Sequence, residues 1–201
     1  MSAVGNFSVK AFAAAAMLAI ACANAAASVD VNGVKYEESL PVAGKELMLN
    51  GAGVRTKFII KVYTAGLYLQ SKESTTEGVL KAAGPRRIRL VMLRDVSSDS
   101  FGEAFMSGLN NNVSKEDKAK IIGQISKYGE MFAQIDALKK GDTLDTDWIP
   151  GIGAQSYLNG KKIGEVLPDL VFYNSVLRIW LGDKPVDSSL KEKLLTPVAK
   201  K

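Results

Sequence analysis

Arg55 is the side chain of this sequence best suited to bind or stabilise an anion. It ends the stretch GAGVR (51–55) and opens a run rich in β-branched and aromatic residues. A guanidinium is always charged, and its planar fork of donors fits a carboxylate, phenolate or enolate oxygen. At the mouth of a cleft, Arg55 would hold an anion or stabilise developing oxyanion charge. At the protein surface it would only contact water.

Composition excludes most other catalytic chemistries. The chain has no histidine, and its single cysteine, Cys22, lies near the N-terminus. It has neither a phosphate-binding G-x-x-x-x-G-K-[ST] loop nor a G-x-S-x-G nucleophile elbow. Asp142, Asp145 and Asp147 are clustered without the spacing of an EF-hand, and we interpret them as part of an exposed edge strand. We therefore expect neither a metal site nor a cofactor.

The charge balance argues against nucleic acid as a partner. The 201 residues include 26 Lys and Arg against 21 Asp and Glu. The basic residues occur as scattered pairs such as Arg86-Arg87 and Lys161-Lys162, whereas a phosphate-binding surface usually needs a concentrated basic stripe. The hydrophobic fraction of 47% is typical of a globular domain that can bury its own core.

The N-terminal segment has the features of a signal peptide. An apolar run of about eleven residues follows Lys10, which is too short to span a bilayer because a spanning helix takes about twenty. Small residues come next, and their A-x-A pattern predicts cleavage after Ala25 or Ala27. Lipidation at Cys22 is the alternative, although Ala19 stands where a lipoprotein site has a large aliphatic residue.

This interpretation predicts two parts of the chain. Residues 1–27 form the signal peptide, and residues 28–201 form one secreted or periplasmic domain. We expect no integral membrane span once the signal peptide is removed.

The order of predicted elements indicates an α+β fold with a mainly antiparallel sheet. Asn-Gly pairs at 32–33 and 159–160 predict hairpin turns. The glycines of GAGVR predict a turn that leads into a long strand over 57–69, with Tyr63 and Thr64 on opposite faces. The predicted helices cover about 74–84, 98–112, 114–135, 167–182 and 187–195.

The separation of Arg55 from Tyr63 limits what the two can do together. They are eight positions apart, a separation that would span about 26 Å in a straight strand. They share a ligand only if that ligand is long or the chain bends after Arg55.

Three stretches resemble the chalcone isomerase family, in particular its bacterial secreted, chalcone-isomerase-like branch. GAGVR (51–55) is similar to the glycine-rich segment that carries the family's catalytic arginine, and FIIKVYTAGLYL (58–69) to the strand behind it. SVLRIWLGDKPVDSSLK (175–191) resembles the C-terminal helix, turn and helix. The resemblance implies an open-faced β-sandwich, in which helices are layered on one face of a large antiparallel sheet and a cleft lies between them.

The resemblance also implies two activities for that cleft. In the isomerases the arginine helps a phenolate add intramolecularly to an enone. In the fatty-acid-binding relatives it holds a carboxylate. Several polar positions of the isomerase site fall on residues without the expected hydroxyl or amide: the catalytic tyrosine near Phe101, the asparagine near Gly108 and a helix threonine near Ile179. The strand threonine falls on Tyr63, beside Thr64.

These substitutions favour a binding protein without catalytic activity. We expect Arg55 to hold the head group of a small amphipathic anion such as a fatty acid, with Tyr63 and Thr64 beside it. The expected apolar lining is Phe101, Phe105, Ile179 and Trp180. The first alternative is an active isomerase or intramolecular lyase that uses Arg55 and Tyr63, and the second is a protein-interaction module whose partners the sequence does not identify.

Overall fold

The computed structural model describes residues 27–198. Residues 1–26 of the predicted signal peptide, with Cys22 and Ala25, lie outside this range. The strands are β1 (Ser28–Val31), β2 (Val34–Glu37), β3 (Ser39–Val42), β4 (Lys45–Lys57), β5 (Ile60–Leu69), β6 (Arg86–Met92), β7 (Val96–Ser97), β8 (Ala137–Leu138), β9 (Thr143–Ile149), β10 (Gly153–Leu158) and β11 (Lys161–Leu167). The helices are α1 (Thr76–Lys81), α2 (Ser98–Asn112), α3 (Lys115–Lys120), α4 (Ile122–Ala133), α5 (Leu170–Leu181) and α6 (Ser188–Leu194).

Seven strands form one antiparallel sheet in the order β11-β10-β9-β6-β5-β4-β3. The predicted α+β class and large antiparallel sheet are confirmed. The two Asn-Gly pairs form the β1–β2 and β10–β11 turns, where Asn32 and Asn159 adopt the positive φ that such turns require. No helix among residues 27–198 is both long and apolar enough to cross a membrane.

Helices α2, α4 and α5 cover one face of the sheet, as expected for an open-faced β-sandwich. The Tyr128 hydroxyl of α4 hydrogen-bonds to Thr146 of β9, and Tyr173 of α5 packs against Trp148 of the same strand. The opposite face carries the short β1–β2 hairpin. There the Tyr36 and Thr64 hydroxyls form a buried hydrogen bond of 2.8 Å. Thr64 therefore points away from the helices.

The prediction of a turn at GAGVR is wrong, because both glycines lie inside β4. A Cβ on Gly51 would stand 2.1 Å from the backbone oxygen of Lys193, and one on Gly53 would stand 2.9 Å from the Lys193 Cβ. Glycine inside a strand often marks a close approach by another backbone. Here the glycines admit the end of α6, and the chain turns only at Phe58 and Ile59.

The interpretation of the acidic cluster as an exposed edge strand is also wrong. Strand β9 lies inside the sheet between β6 and β10. Asp145 and Asp147 are buried on the face opposite the helices, where they form bidentate ion pairs with Arg89 and Arg87 of β6 at 2.6–2.9 Å. Strand alternation places both arginines opposite both carboxylates, so the cluster stabilises strand pairing.

Candidate functional site

A hairpin and a bulge bring Arg55 and Tyr63 together. Because the chain reverses at Phe58 and Ile59, Arg55 of β4 pairs directly with Tyr63 of β5. The register shifts between Arg55 and Thr56, which leaves Val62 as an extra residue on β5. The bulge allows Val62 and Tyr63 to line the same cavity. The bend that the two residues need in order to share a ligand is therefore present.

Tyr63 is fixed by a hydrogen bond from helix α5. The Trp180 Nε1–H donates to the Tyr63 hydroxyl over 2.8 Å, and both side chains are buried. Burial raises the pKa of the Tyr63 phenol to about 12, and the charge of Arg55 and the Trp180 hydrogen bond offset only part of this effect. The phenol is protonated at neutral pH, so its O–H is able to donate a hydrogen bond to a ligand and does not serve as a base.

Arg55 is a half-buried cation whose hydrogen-bonding capacity is not used within the described chain. Its guanidinium carbon lies 5.4 Å from the centroid of the Tyr63 ring, in cation–π contact. Its Nε is buried without a hydrogen-bond partner, and among residues 27–198 it forms no ion pair. Asp187, the N-cap of α6, accepts hydrogen bonds from the backbone N–H groups of Thr56 and Leu190. A buried donor without a partner costs free energy unless a ligand satisfies it.

Arg55 and Tyr63 stand in the wall of a cavity of about 430 Å³ between the sheet and helices α2 and α5. This volume lies within the range of about 300–1,000 Å³ usual for small-molecule sites. Its apolar wall includes four predicted residues, namely Phe101, Phe105, Ile179 and Trp180. Phe101 is supported by the Phe132 ring and Phe105 by the Tyr128 ring, each with centroids 4.8 Å apart.

The exposed residues that line the cavity form its mouth, and none of them was predicted to bind a ligand. These residues are Lys57, Phe58, Ile60, Arg94, Asp95, Ser97 and Ser100. Asp95 is held by the Lys140 backbone N–H at 2.8 Å and by the Lys139 ammonium at 3.3 Å. The pattern of the sequence carries no sign of this mouth, because its residues come from two stretches, 57–60 and 94–100, that lie far apart in the chain.

Thr64 is the one predicted ligand-binding residue that the structure does not bring to the cavity. Its hydroxyl is fully buried on the opposite face of the sheet, against Tyr36. Gly108 has a packing role: a Cβ at this position would lie 2.7 Å from the Ile179 Cγ2, so the glycine allows α2 to approach α5 closely. Apolar packing occupies the positions where the resemblance implies polar groups.

The arrangement can bind an oxyanion. A guanidinium and a protonated phenol both donate hydrogen bonds, and together they suit the oxygens of a carboxylate, phenolate or enolate. No group of three or more His, Cys, Asp or Glu side chains within residues 27–198 is placed to hold a metal ion.

The fold and the cavity define an open-faced β-sandwich with a site of small-molecule size. The chain belongs to the chalcone isomerase-like family, whose sequence model matches residues 28–196. A solved structure of an Arabidopsis thaliana fatty-acid-binding protein is similar, with a TM-score of 0.70 over 85% of this chain and 96% of that chain. The two sequences are 18% identical, so the likeness concerns the fold. No curated protein matches the chain.

Proposed function

We propose that this protein binds a small amphipathic carboxylate, such as a fatty acid, without converting it. The observation that carries the proposal is the Arg55 guanidinium, whose buried Nε has no partner within residues 27–198 beside a mostly apolar cavity. The similar fold of a fatty-acid-binding protein supports the proposal. A carboxylate would accept hydrogen bonds from Arg55 and from the Tyr63 hydroxyl, while its tail would contact Phe101, Phe105 and Ile179.

The apolar wall should select for tail length. Each methylene that leaves water contributes about 0.8 kcal/mol, which corresponds to roughly a four-fold gain in affinity. The gain should stop at the length at which the tail fills the cavity. A purely electrostatic site would show no such dependence on length.

Isothermal titration with saturated fatty acids of increasing length, and with the matched fatty alcohols, tests this function. The alcohols keep the tail and lack the charge, so each should bind at least about ten-fold more weakly than its acid, given a charge-assisted hydrogen bond of about 1.5–3 kcal/mol. Native mass spectrometry of the purified protein should also show a bound carboxylate. Equal affinity for acids and alcohols, or no saturable binding of any acid, would refute the proposal.

An intramolecular lyase is the second candidate, and the pairing of Arg55 with Tyr63 is the observation that favours it. In that reaction Arg55 would stabilise an enolate or phenolate, and the protonated Tyr63 would donate a hydrogen bond to it. Incubation with hydroxylated enones, followed by chromatography of the products, separates the candidates. Turnover that disappears in an Arg55→Met variant would replace binding by catalysis as the function.

We further propose that the protein is exported and that its N-terminal signal peptide is then removed by cleavage after Ala25 or Ala27. The proposal is supported by the short apolar run and the A-x-A pattern alone. The intact mass of the protein recovered from an expressing bacterium should correspond to a chain that begins at Ala26 or Ser28. A mass that includes the first residues, or a lipid on Cys22, would contradict it.

A further inference from the structure

The tip of the β4–β5 hairpin, defined as Lys57–Lys61, exposes two large apolar side chains. Phe58 is 92% exposed and Ile59 is 94% exposed, more than any other large apolar side chain among residues 27–198. Phe58 has a φ of 57°, a conformation that bulky residues rarely adopt and that a two-residue hairpin turn usually gives to Gly, Asn or Asp. The backbone geometry disfavours Phe58 at this position, and the exposure to water disfavours both residues. Such a combination points to a functional surface.

Basic side chains surround the apolar tip. Lys57 and Lys61 stand at the two ends of the tip, on either side of Phe58 and Ile59. The Lys61 ammonium donates a hydrogen bond to the Asn32 side chain over 2.6 Å. Arg94 stands across the mouth of the cavity and is exposed. Within the described chain these three cations form no ion pairs, whereas the nearby Asp95 is bound to Lys139 and to the Lys140 backbone. Apolar residues between lysines and an arginine are complementary to an anionic lipid surface, which offers phosphate groups above an apolar layer.

The tip and the cavity are continuous. Lys57, Phe58 and Ile60 belong to the hairpin tip and also line the mouth of the cavity. A lipid surface that contacts the tip would therefore lie directly against the opening through which a ligand enters.

We propose that the hairpin tip inserts Phe58 and Ile59 into the surface of an anionic lipid bilayer, and that an amphipathic ligand passes there between the bilayer and the cavity. The contact with the bilayer rests only on the exposed apolar residues and the cations of the tip. The passage of the ligand rests on the proposed function.

Flotation of the purified protein with lipid vesicles tests the contact. One vesicle preparation contains equal parts of phosphatidylglycerol and phosphatidylcholine, and the other contains phosphatidylcholine alone. The test variant is Ile59→Asp, since Ile59 does not line the cavity. The matched control is Ile152→Asp, which makes the same change at another exposed isoleucine, in the β9–β10 turn at the opposite end of the sheet.

The unaltered protein should bind the anionic vesicles in preference to the neutral ones, and added salt should weaken the binding. Ile59→Asp should lower the partition coefficient by about ten-fold or more, because it removes an apolar side chain that would enter the bilayer and adds a negative charge that the anionic lipids repel. Ile152→Asp should leave the partition unchanged. Equal binding by the two variants would overturn the proposal. A dimer in sedimentation velocity that Ile59→Asp dissociates, without vesicle binding, would also overturn it and assign the tip to contact between two copies.

Titration of palmitate in solution separates this inference from the proposed function. Ile59→Asp should bind palmitate as the unaltered protein does and should take it up from anionic vesicles more slowly. Vesicle binding that depends on Ile59, in a protein that binds no carboxylate, would refute the proposed function and leave the bilayer contact standing. Palmitate binding in solution with no vesicle binding would refute the bilayer contact and leave the proposed function standing.

Discussion

Replacing Arg55 by methionine should change stability and affinity in different ways. Methionine keeps an unbranched apolar stem and removes the guanidinium with its buried, unpartnered Nε. The lost cation–π contact with Tyr63 costs about 0.5–2 kcal/mol. Removal of a buried donor without a partner stabilises the folded state by about 1–3 kcal/mol. The two effects nearly cancel, so the ligand-free variant should be about as stable as the unaltered protein or slightly more stable.

Ligand affinity should fall in the same variant. A hydrogen bond to a charged group contributes about 1.5–3 kcal/mol, so the loss in affinity for a fatty acid should be about 10- to 150-fold. Urea denaturation of the ligand-free protein measures the change in stability, and isothermal titration measures the change in fatty-acid affinity. Arg178→Met is the matched control, since Arg178 is exposed on α5 outside the cavity and should leave affinity unchanged.

One result would refute this reasoning about Arg55. If Arg55→Met lowered the free energy of unfolding by more than about 2 kcal/mol, the cation–π contact and the rest of its packing would outweigh the unpartnered donor. If affinity were unaltered as well, Arg55 would be a structural residue and the anion would bind elsewhere.

Three further predictions follow from the buried hydroxyls. Trp180→Phe and Tyr63→Phe should each destabilise the protein by about 1–3 kcal/mol in urea denaturation, and the double variant should lose less than their sum, because each single change leaves the other partner unsatisfied. Thr64→Val should cost a similar amount through the loss of its bond to Tyr36 and should leave fatty-acid affinity unchanged; a loss of affinity would show that Thr64 contacts the ligand after all. Burial raises the pKa of Tyr63 from 10.0 to about 12, so its contribution to stability should be fully present below pH 10 and decrease as the pH rises to 12, because the unfolded chain releases a proton that the folded chain keeps. Tyrosinate absorbance near pH 10 that the folded unaltered protein shows and the folded Tyr63→Phe variant lacks would contradict this sign.

Sequence patterns predicted the elements that local chemistry determines. The Asn-Gly turns, the strand over 86–93 and the helix over 98–112 correspond to β1–β2, β10–β11, β6 and α2, because turn residues and hydrophobic periodicity act over short separations. The helix predicted at 114–135 is divided at Ile121 into α3 and α4. The apolar repeat begins only at Ile121, and the charged residues of α3 before it were joined to the same helix because Ser114 and Asp117 are typical of a helix start.

The main errors arose where tertiary contacts outweigh local preference. Phe58 and Ile59 have no turn propensity, so the hairpin that pairs Arg55 with Tyr63 was predicted as a single strand. Gly51 and Gly53 were predicted as a turn because glycine is common in turns, whereas here they make room for α6. Arg55 and the predicted aromatic residues do line one cavity, whereas the residues of its mouth were not predicted.

Contacts between residues that are far apart in the chain hold α5 and the α6 segment against strands β4 and β5. Trp180 donates to Tyr63 across 117 residues, Asp187 holds the Thr56 backbone across 131, and the Asn50 amide donates to the Leu194 carbonyl across 144. Contacts of such separation form late, since the intervening chain must first lose its freedom. During synthesis β4 and β5 emerge long before α5 and α6. The apolar faces of the two strands therefore stay uncovered until α5 and α6 have been made. A nascent or truncated chain that ends before Trp180 would carry Arg55 and Tyr63 without the helix that completes their site, so binding must await the synthesis of α5.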